Sequence, residues 1–193
     1  ANRAGARIVV LGANAIEHMG ELLHDIASRL QPALAARITA MPVVPAGARH
    51  ATLNINSITG GQAGHLVQSP CVADSCSAIF DRRFLEEEPF EQVRGEITDL
   101  LAELQHRIPE ARFSMRDLMV VHPVRTPDGS PLVASLQRGI ADVVGREAAI
   151  VASPGTYDHK HVTRIGGIDQ CVAYGPGRLE LSHQPDEWCD IDE

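Results

Sequence analysis

Between Asn14 and Leu34 the apolar residues Ile16, Met19, Leu22, Leu23, Ile26 and Leu30 recur at threes and fours. That is the period of a helix with one buried face, and it predicts a helix over about 13–30. Just ahead of it, Ile8, Val9, Val10 and Leu11 form a β-branched run closed by Gly12, which predicts a short strand feeding the helix. Pro42, Pro45 and Gly47 then interrupt the pattern. From Ala51 to Ile58 the period falls to two: Leu53, Ile55 and Ser57 alternate with Thr52, Asn54 and Asn56, and Gly60-Gly61 provides a flexible exit. A second strand is expected from Cys76 to Phe84. Helical spacing returns within 86–106 at Phe90, Val93, Ile97, Leu100, Leu101 and Leu104, with Glu87 and Glu88 near the favourable N-terminal end. Arg112 to Val121 reads as a further strand.

Strand, helix, strand, strand, helix, strand over this first part of the chain is the order of a ferredoxin-like α+β unit, an antiparallel sheet with both helices on one face. The expected first domain is 1–122. Pro123 to Pro131 is a turn-rich joint containing Thr126, Pro127, Asp128, Gly129 and Ser130. The remainder, 123–193, reads as a short α/β segment: a helix from Leu132 to Val144, buried strands at Ala148–Ala152 and Gln170–Ala173, and loops holding Gly155, Gly166 and Gly167.

Composition narrows the function classes. With 193 residues, 44% of them apolar, the chain can bury a core and form one or two small domains. Its formal charge of -8 opposes the basic footprint that phosphate contacts need, which argues against nucleic acid and for small molecules or proteins as partners. No apolar run approaches the roughly 20 residues of a membrane span, and the N-terminus lacks a signal-peptide layout, so no membrane partner and a cytoplasmic location are expected. Cys71, Cys76, Cys171 and Cys189 form neither paired CxxC motifs nor a dense disulfide framework and read as reduced, mostly structural thiols. No Gly-x-Ser-x-Gly elbow and no Gly-x-Gly-x-x-Gly or phosphate-loop pattern occurs. His159 and His161 would share one face of a strand and suggest a metal site; a solvated loop is the plainer alternative.

Five ordered stretches carry a resemblance. They are Gly12-Ala13-Asn14-Ala15-Ile16; Thr52-Leu53-Asn54-Ile55 with Gly60-Gly61; Val72-Ala73-Asp74-Ser75-Cys76 through Asp81-Arg82-Arg83; Gly155-Thr156-Tyr157-Asp158; and Tyr174-Gly175-Pro176-Gly177 through His183 to Glu187. Together the chain resembles the second half of the zinc-dependent deacylase and carboxypeptidase family that includes acetylornithine deacetylase, succinyl-diaminopimelate desuccinylase and aminoacylase. The resemblance implies a lid domain followed by the C-terminal part of an α/β catalytic domain. The family's remaining metal ligands and its general-base glutamate have no counterpart here, so no catalytic residue is assigned.

By resemblance, His183 is a zinc ligand of the complete enzyme and Arg83 engages the substrate carboxylate, a bidentate task suited to a guanidinium. A surface ion pair with Asp81 or with Glu86 to Glu88 is the alternative for Arg83. Gly155, Thr156, Gly175, Pro176 and Gly177 correspond to loops lining the substrate cleft. Two positions depart from the family pattern: where a histidine shortly before the first lid helix is usual, an ungapped alignment puts Gly5 and a shortened loop leaves no residue at all, and Pro70 stands where a lid asparagine is usual. His65 aligns with neither. The implied activity is hydrolysis of an N-acyl amino acid by zinc-activated water, with this chain inactive alone and a homodimer formed through the lid. The alternative is a non-catalytic dimerisation or binding module derived from the lid, in which the exposed sheet edge and the first helix pair two copies.

Overall fold

The computed structural model describes residues 13–62, 72–178 and 181–191. They divide into two compact units, one comprising the chain up to Arg37 together with Ala51–Asp117, the other Ile38–His50 together with the chain from Leu118 onward.

In the first unit, α1 (Ala15–Asp25) starts where Asn14 can cap it. The Asn14 side chain accepts from the backbone N–H groups of Ile16 and Glu17, and its own amide donates to Glu17 Oε1 at 2.9 Å. Two orphan donors of the first turn are thereby satisfied. The helix runs past the expected end at residue 30, through a π-helical turn at Ile26–Leu30 into α2 (Gln31–Ala35). Pro32 brings no N–H to the ladder, and a π turn just before it absorbs the lost bond. α3 spans Phe90–Arg107 and places His106 and Arg107 in its last turn, where the helix dipole favours cations.

The sheet among the described residues has two antiparallel strands, β1 (Thr52–Gly61) and β2 (Ser75–Arg83). A bulge at Asn56 separates the ladder pairs Ile55 with Phe80 and Ser57 with Ile79. Leu22, Ile26, Leu30, Leu34, Ala51, Leu53, Leu100 and Leu104 form the core, with Phe80, Ile97, Leu101 and Phe113 packed against it. Both helical segments therefore cover the same face of the sheet. Gly60 sits at a pinch point: a Cβ there would lie 2.9 Å from both Cys76 Sγ and Ile16 Cγ1, so only glycine lets α1 approach the strands this closely.

Four charges tie this unit together. Arg82 of β2 donates to Glu88 Oε1 at 2.7 Å and to Glu96 Oε2 on α3 at 3.1 Å. Arg37, which follows α2, donates to Glu88 Oε1 at 2.7 Å and also to Glu96. Glu88 Oε2 in turn accepts from Leu85 N–H at 2.7 Å. The side chains of Arg82, Glu88 and Glu96 are 9%, 11% and 10% exposed. Sequence reasoning gave Glu88 to the helix N-terminus; α3 begins only at Phe90, and Glu88 instead belongs to this network.

The α+β character expected from the sequence is what the structure shows. Arg112–Val121 makes no ladder among the described residues, and the strand expected at 8–11 lies outside them; Ala111 is buried and Asp117 pairs with Arg94 at 2.9 Å.

In the second unit, α4 (Pro131–Val144) is capped by Ser130, whose hydroxyl accepts from Val133 N–H, and ends at Gly145 in the left-handed conformation. Ala148–Ala152 and Gln170–Ala173 are not strands. Ala152 makes one parallel bridge to Val43, and Ala148 is tied to Gln137 by a side-chain hydrogen bond of 3.0 Å. The carbonyl of Cys171 accepts from Thr126 Oγ1, and the Gln170 side chain meets Ser130 Oγ. Side chains thus take up groups that a ladder would otherwise use. The described residues of this unit bury no apolar side chain; the buried core residues all belong to the first unit. No helix among the described residues is long and apolar enough to cross a membrane.

Replacing Arg82 with Ala leaves two buried carboxylates sharing the single guanidinium of Arg37 and should cost on the order of 3 kcal/mol, read as a lower urea midpoint. Burial pushes the Glu88 carboxyl up, but hydrogen bonds from Arg82, Arg37 and Leu85 N–H outweigh burial and hold it below the usual range. Its contribution to stability is therefore complete above the unfolded value of about 4.3 and is lost as pH falls below it. Urea titrations at pH 6 and pH 3.5 should show a smaller loss of stability on acidification in Glu88→Gln than in the unaltered chain.

Candidate functional site

Strand alternation separates the two arginines of Asp81-Arg82-Arg83. Residues 80 and 82 face the helices, as Phe80 in the core and Arg82 in the charge network show. Asp81 and Arg83 consequently share the opposite face, where Arg83 Nε lies 3.2 Å from Asp81 Oδ2. The Arg83 side chain is 57% exposed. Arg82, which sequence reasoning passed over, is the structural arginine, and Arg83 is the one presented to solvent.

The remaining predicted site residues lie in the second unit. Gly155 is held in a loop built on Ser153, whose hydroxyl accepts from Gly155 N–H at 3.2 Å and lies 2.9 Å from Tyr157 Oη. The Tyr157 ring crosses so near Gly155 that a Cβ there would sit 3.3 Å from it. Gly155 and Thr156 are both exposed.

Gly175, Pro176 and Gly177 form an exposed turn in which Gly177 has φ +94, a left-handed conformation open to glycine. This turn packs beside the segment that follows His183. The Arg178 guanidinium stacks 5.3 Å from the Trp188 ring centroid, and a Cβ at Gly177 would lie 3.5 Å from Cys189 Cβ. Sequence reasoning missed this contact, although a lone tryptophan near a flanking arginine was a visible signal. His183 itself is exposed at φ 63, and its backbone N–H donates to Glu187 Oε2 at 3.1 Å. The structure thus brings the Gly175–Gly177 turn and the His183 segment together.

His159 and His161 do not form the strand pair that their spacing suggested. They lie on a short helix, α5 (His159–Arg164), where positions two apart point in nearly opposite directions. His161 is exposed, whereas Nε2 of His159 is buried without a hydrogen-bond partner among the described residues, as is Oγ1 of Thr163 one turn later. Among the described residues no three His, Cys, Asp or Glu side chains are grouped to hold a metal ion. Cys76, Cys171 and Cys189 are unpaired thiols; Cys71 lies outside the described residues. Burial beside Gly60 pushes the Cys76 thiol above its ordinary value, which keeps it protonated and inert.

No curated protein matches the chain. A family model, the peptidase dimerisation domain of the M20 peptidases, matches residues 6–109. That span is more than half of the 193 residues and takes in α1, α2, both strands and α3, the elements that share the core and the charge network. The chain belongs to the M20 peptidase family, through its peptidase dimerisation domain.

Proposed function

We propose that the chain is the lid and dimerisation part, with a C-terminal catalytic segment, of a zinc-dependent amide hydrolase that acts on N-acyl amino acids and works as a homodimer. The division proposed is 1–122 for the lid and 123–193 for the catalytic segment. The observation that carries the reading is the order of parts: a dimerisation domain matched at 6–109, then the glycine turn and His183 segment that pack against each other. In this reading Arg83 grips the substrate carboxylate, the loops at Gly155-Thr156 and Gly175-Pro176-Gly177 line the cleft, and His183 contributes to the metal site. The described residues do not by themselves fit a zinc ion, which needs about three protein ligands at a catalytic site, so His183 supplies at most one. That the second unit's described residues bury no apolar side chain supports its being one part of a larger catalytic domain.

A second reading, a non-catalytic dimerisation or binding module, is favoured by the same lack of grouped ligands among the described residues. The two part at His183. On the hydrolase reading the pure chain hydrolyses no N-acetyl amino acid. Adding the N-terminal catalytic half of an M20 peptidase should then confer zinc retention after mild chelation, measured as metal per chain, and His183→Ala should remove that gain. A zinc content indifferent to both the added half and His183 would leave the module reading standing. Sedimentation equilibrium should show a dimer under either reading.

A further inference from the structure

The chain contains one Asp-Gly pair, Asp128-Gly129, and no Asn-Gly pair. It lies in the turn that leads into α4, which is closed by a hydrogen bond of 3.2 Å from Ser130 N–H to the Pro127 carbonyl. Gly129 holds the third position with φ +77, whereas Asp128 ahead of it has no positive φ. That combination defines a type II turn, which reserves its third position for glycine. The turn thus places the residue with the least shielded backbone nitrogen directly after a carboxylate.

An aspartate followed by glycine can close on itself. The Gly129 nitrogen attacks Asp128 Cγ: an N–Cγ bond forms, one Cγ–O bond breaks, and the departing oxygen takes the amide proton and a proton from solvent to leave as water. Water then adds to the five-membered imide. Opening at the Asp128 main-chain carbonyl leaves the chain running through Cβ and Cγ, with one extra methylene in the backbone, the α-carboxylate free and a proton returned to solvent. Water is the only reactant, and nothing is oxidised or reduced. The surroundings permit the attack. The Asp128 side chain is 88% exposed, and a Cβ built on Gly129 meets nothing within 4 Å among the described residues. Arg125 opposes it. Its Nη2 donates to Asp128 Oδ1 at 2.9 Å and to Oδ2 at 3.1 Å, so Cγ can swing onto the Gly129 nitrogen only when this clasp opens.

We propose that Asp128-Gly129 is a site of isoaspartate formation, held in check by Arg125, and that its product is a substrate for a carboxyl methyltransferase that uses S-adenosylmethionine. The chemistry is the same whether the chain serves a hydrolase or a module. Its position gives it a structural effect. Ser130, 3% exposed, caps α4 by accepting from Val133 N–H and meets the Gln170 side chain. A methylene inserted two residues earlier opens the turn and withdraws that cap.

The full chain, aged in warm neutral buffer and assayed with isoaspartyl methyltransferase and labelled S-adenosylmethionine, should take up methyl groups increasingly with time, and peptide mapping should place them in 126–138. Arg125→Ala should raise the rate about threefold, the scale of a lost surface ion pair, with unchanged circular dichroism. Unfolding in urea, which opens the clasp without a substitution, should raise it at least as much. Asp128→Glu keeps the charge but would need a six-membered ring, and it should abolish uptake at this position. Amide exchange at Val133 should be faster in the isolated isoaspartate form than in the unaged chain. Uptake absent from 126–138 would overturn the site. A rate indifferent to both Arg125→Ala and urea would overturn the guard, and unchanged exchange at Val133 would overturn the loss of the cap.

Discussion

Arg82 buried between Glu88 and Glu96 is the contact on which the rest of the first unit depends. A guanidinium this enclosed is tolerable only with its charge matched and its donors used, and here two carboxylates and a second arginine close the balance. The network reaches from the end of α2 through β2 and the β2–α3 loop into α3. It therefore fixes the loop that turns the chain from sheet to helix as well as the side of the sheet on which the helices lie.

That single placement propagates along the strand. With residue 82 turned inward, the pleat obliges 81 and 83 to turn outward, so Arg83 is presented with Asp81 on the uncovered face. Through the ladder, the same phase sets Leu53 and Ile55 inward on β1, and the bulge at Asn56 resets it so that Ile58 joins them. The presentation of Arg83 on the uncovered face and the half-exposed Ile55 and Ile58 of β1 are thus two outcomes of one register. The pinch at Gly60 keeps α1 down on that register at the far end of the strands.

The two units contrast in how they are held. The first has a continuous apolar core under its helices. The second relies on local devices: a serine cap on α4, side-chain hydrogen bonds to the carbonyls of Ala148 and Cys171, and a stacked Arg178–Trp188 pair beside the His183 segment. Short, largely apolar runs such as 148–152 and 170–173 read as buried strands because side-chain pattern reports only a preference for a pleated surface. Whether a ladder forms depends on another segment being there to pair, and pattern holds no information about that.

The sequence by itself determined the helices α1, α3 and α4, the two paired strands, the α+β class and the family, because each rests on local periodicity, capping residues and short ordered motifs. Only the tertiary structure decided which arginine is buried and which exposed, that His159 and His161 diverge on a helix, that 112–121 forms no ladder among the described residues, and that Asn56 is bulged. These are questions of partner and phase. Asp81-Arg82-Arg83 looks alike in either strand phase, and a two-residue histidine spacing has one meaning at a period of two and the opposite at 3.6. For the arginines the choice of phase is made by Glu88 and Glu96 closing on Arg82, with Arg37 shared between the same two carboxylates, and it becomes readable only once those segments are folded together.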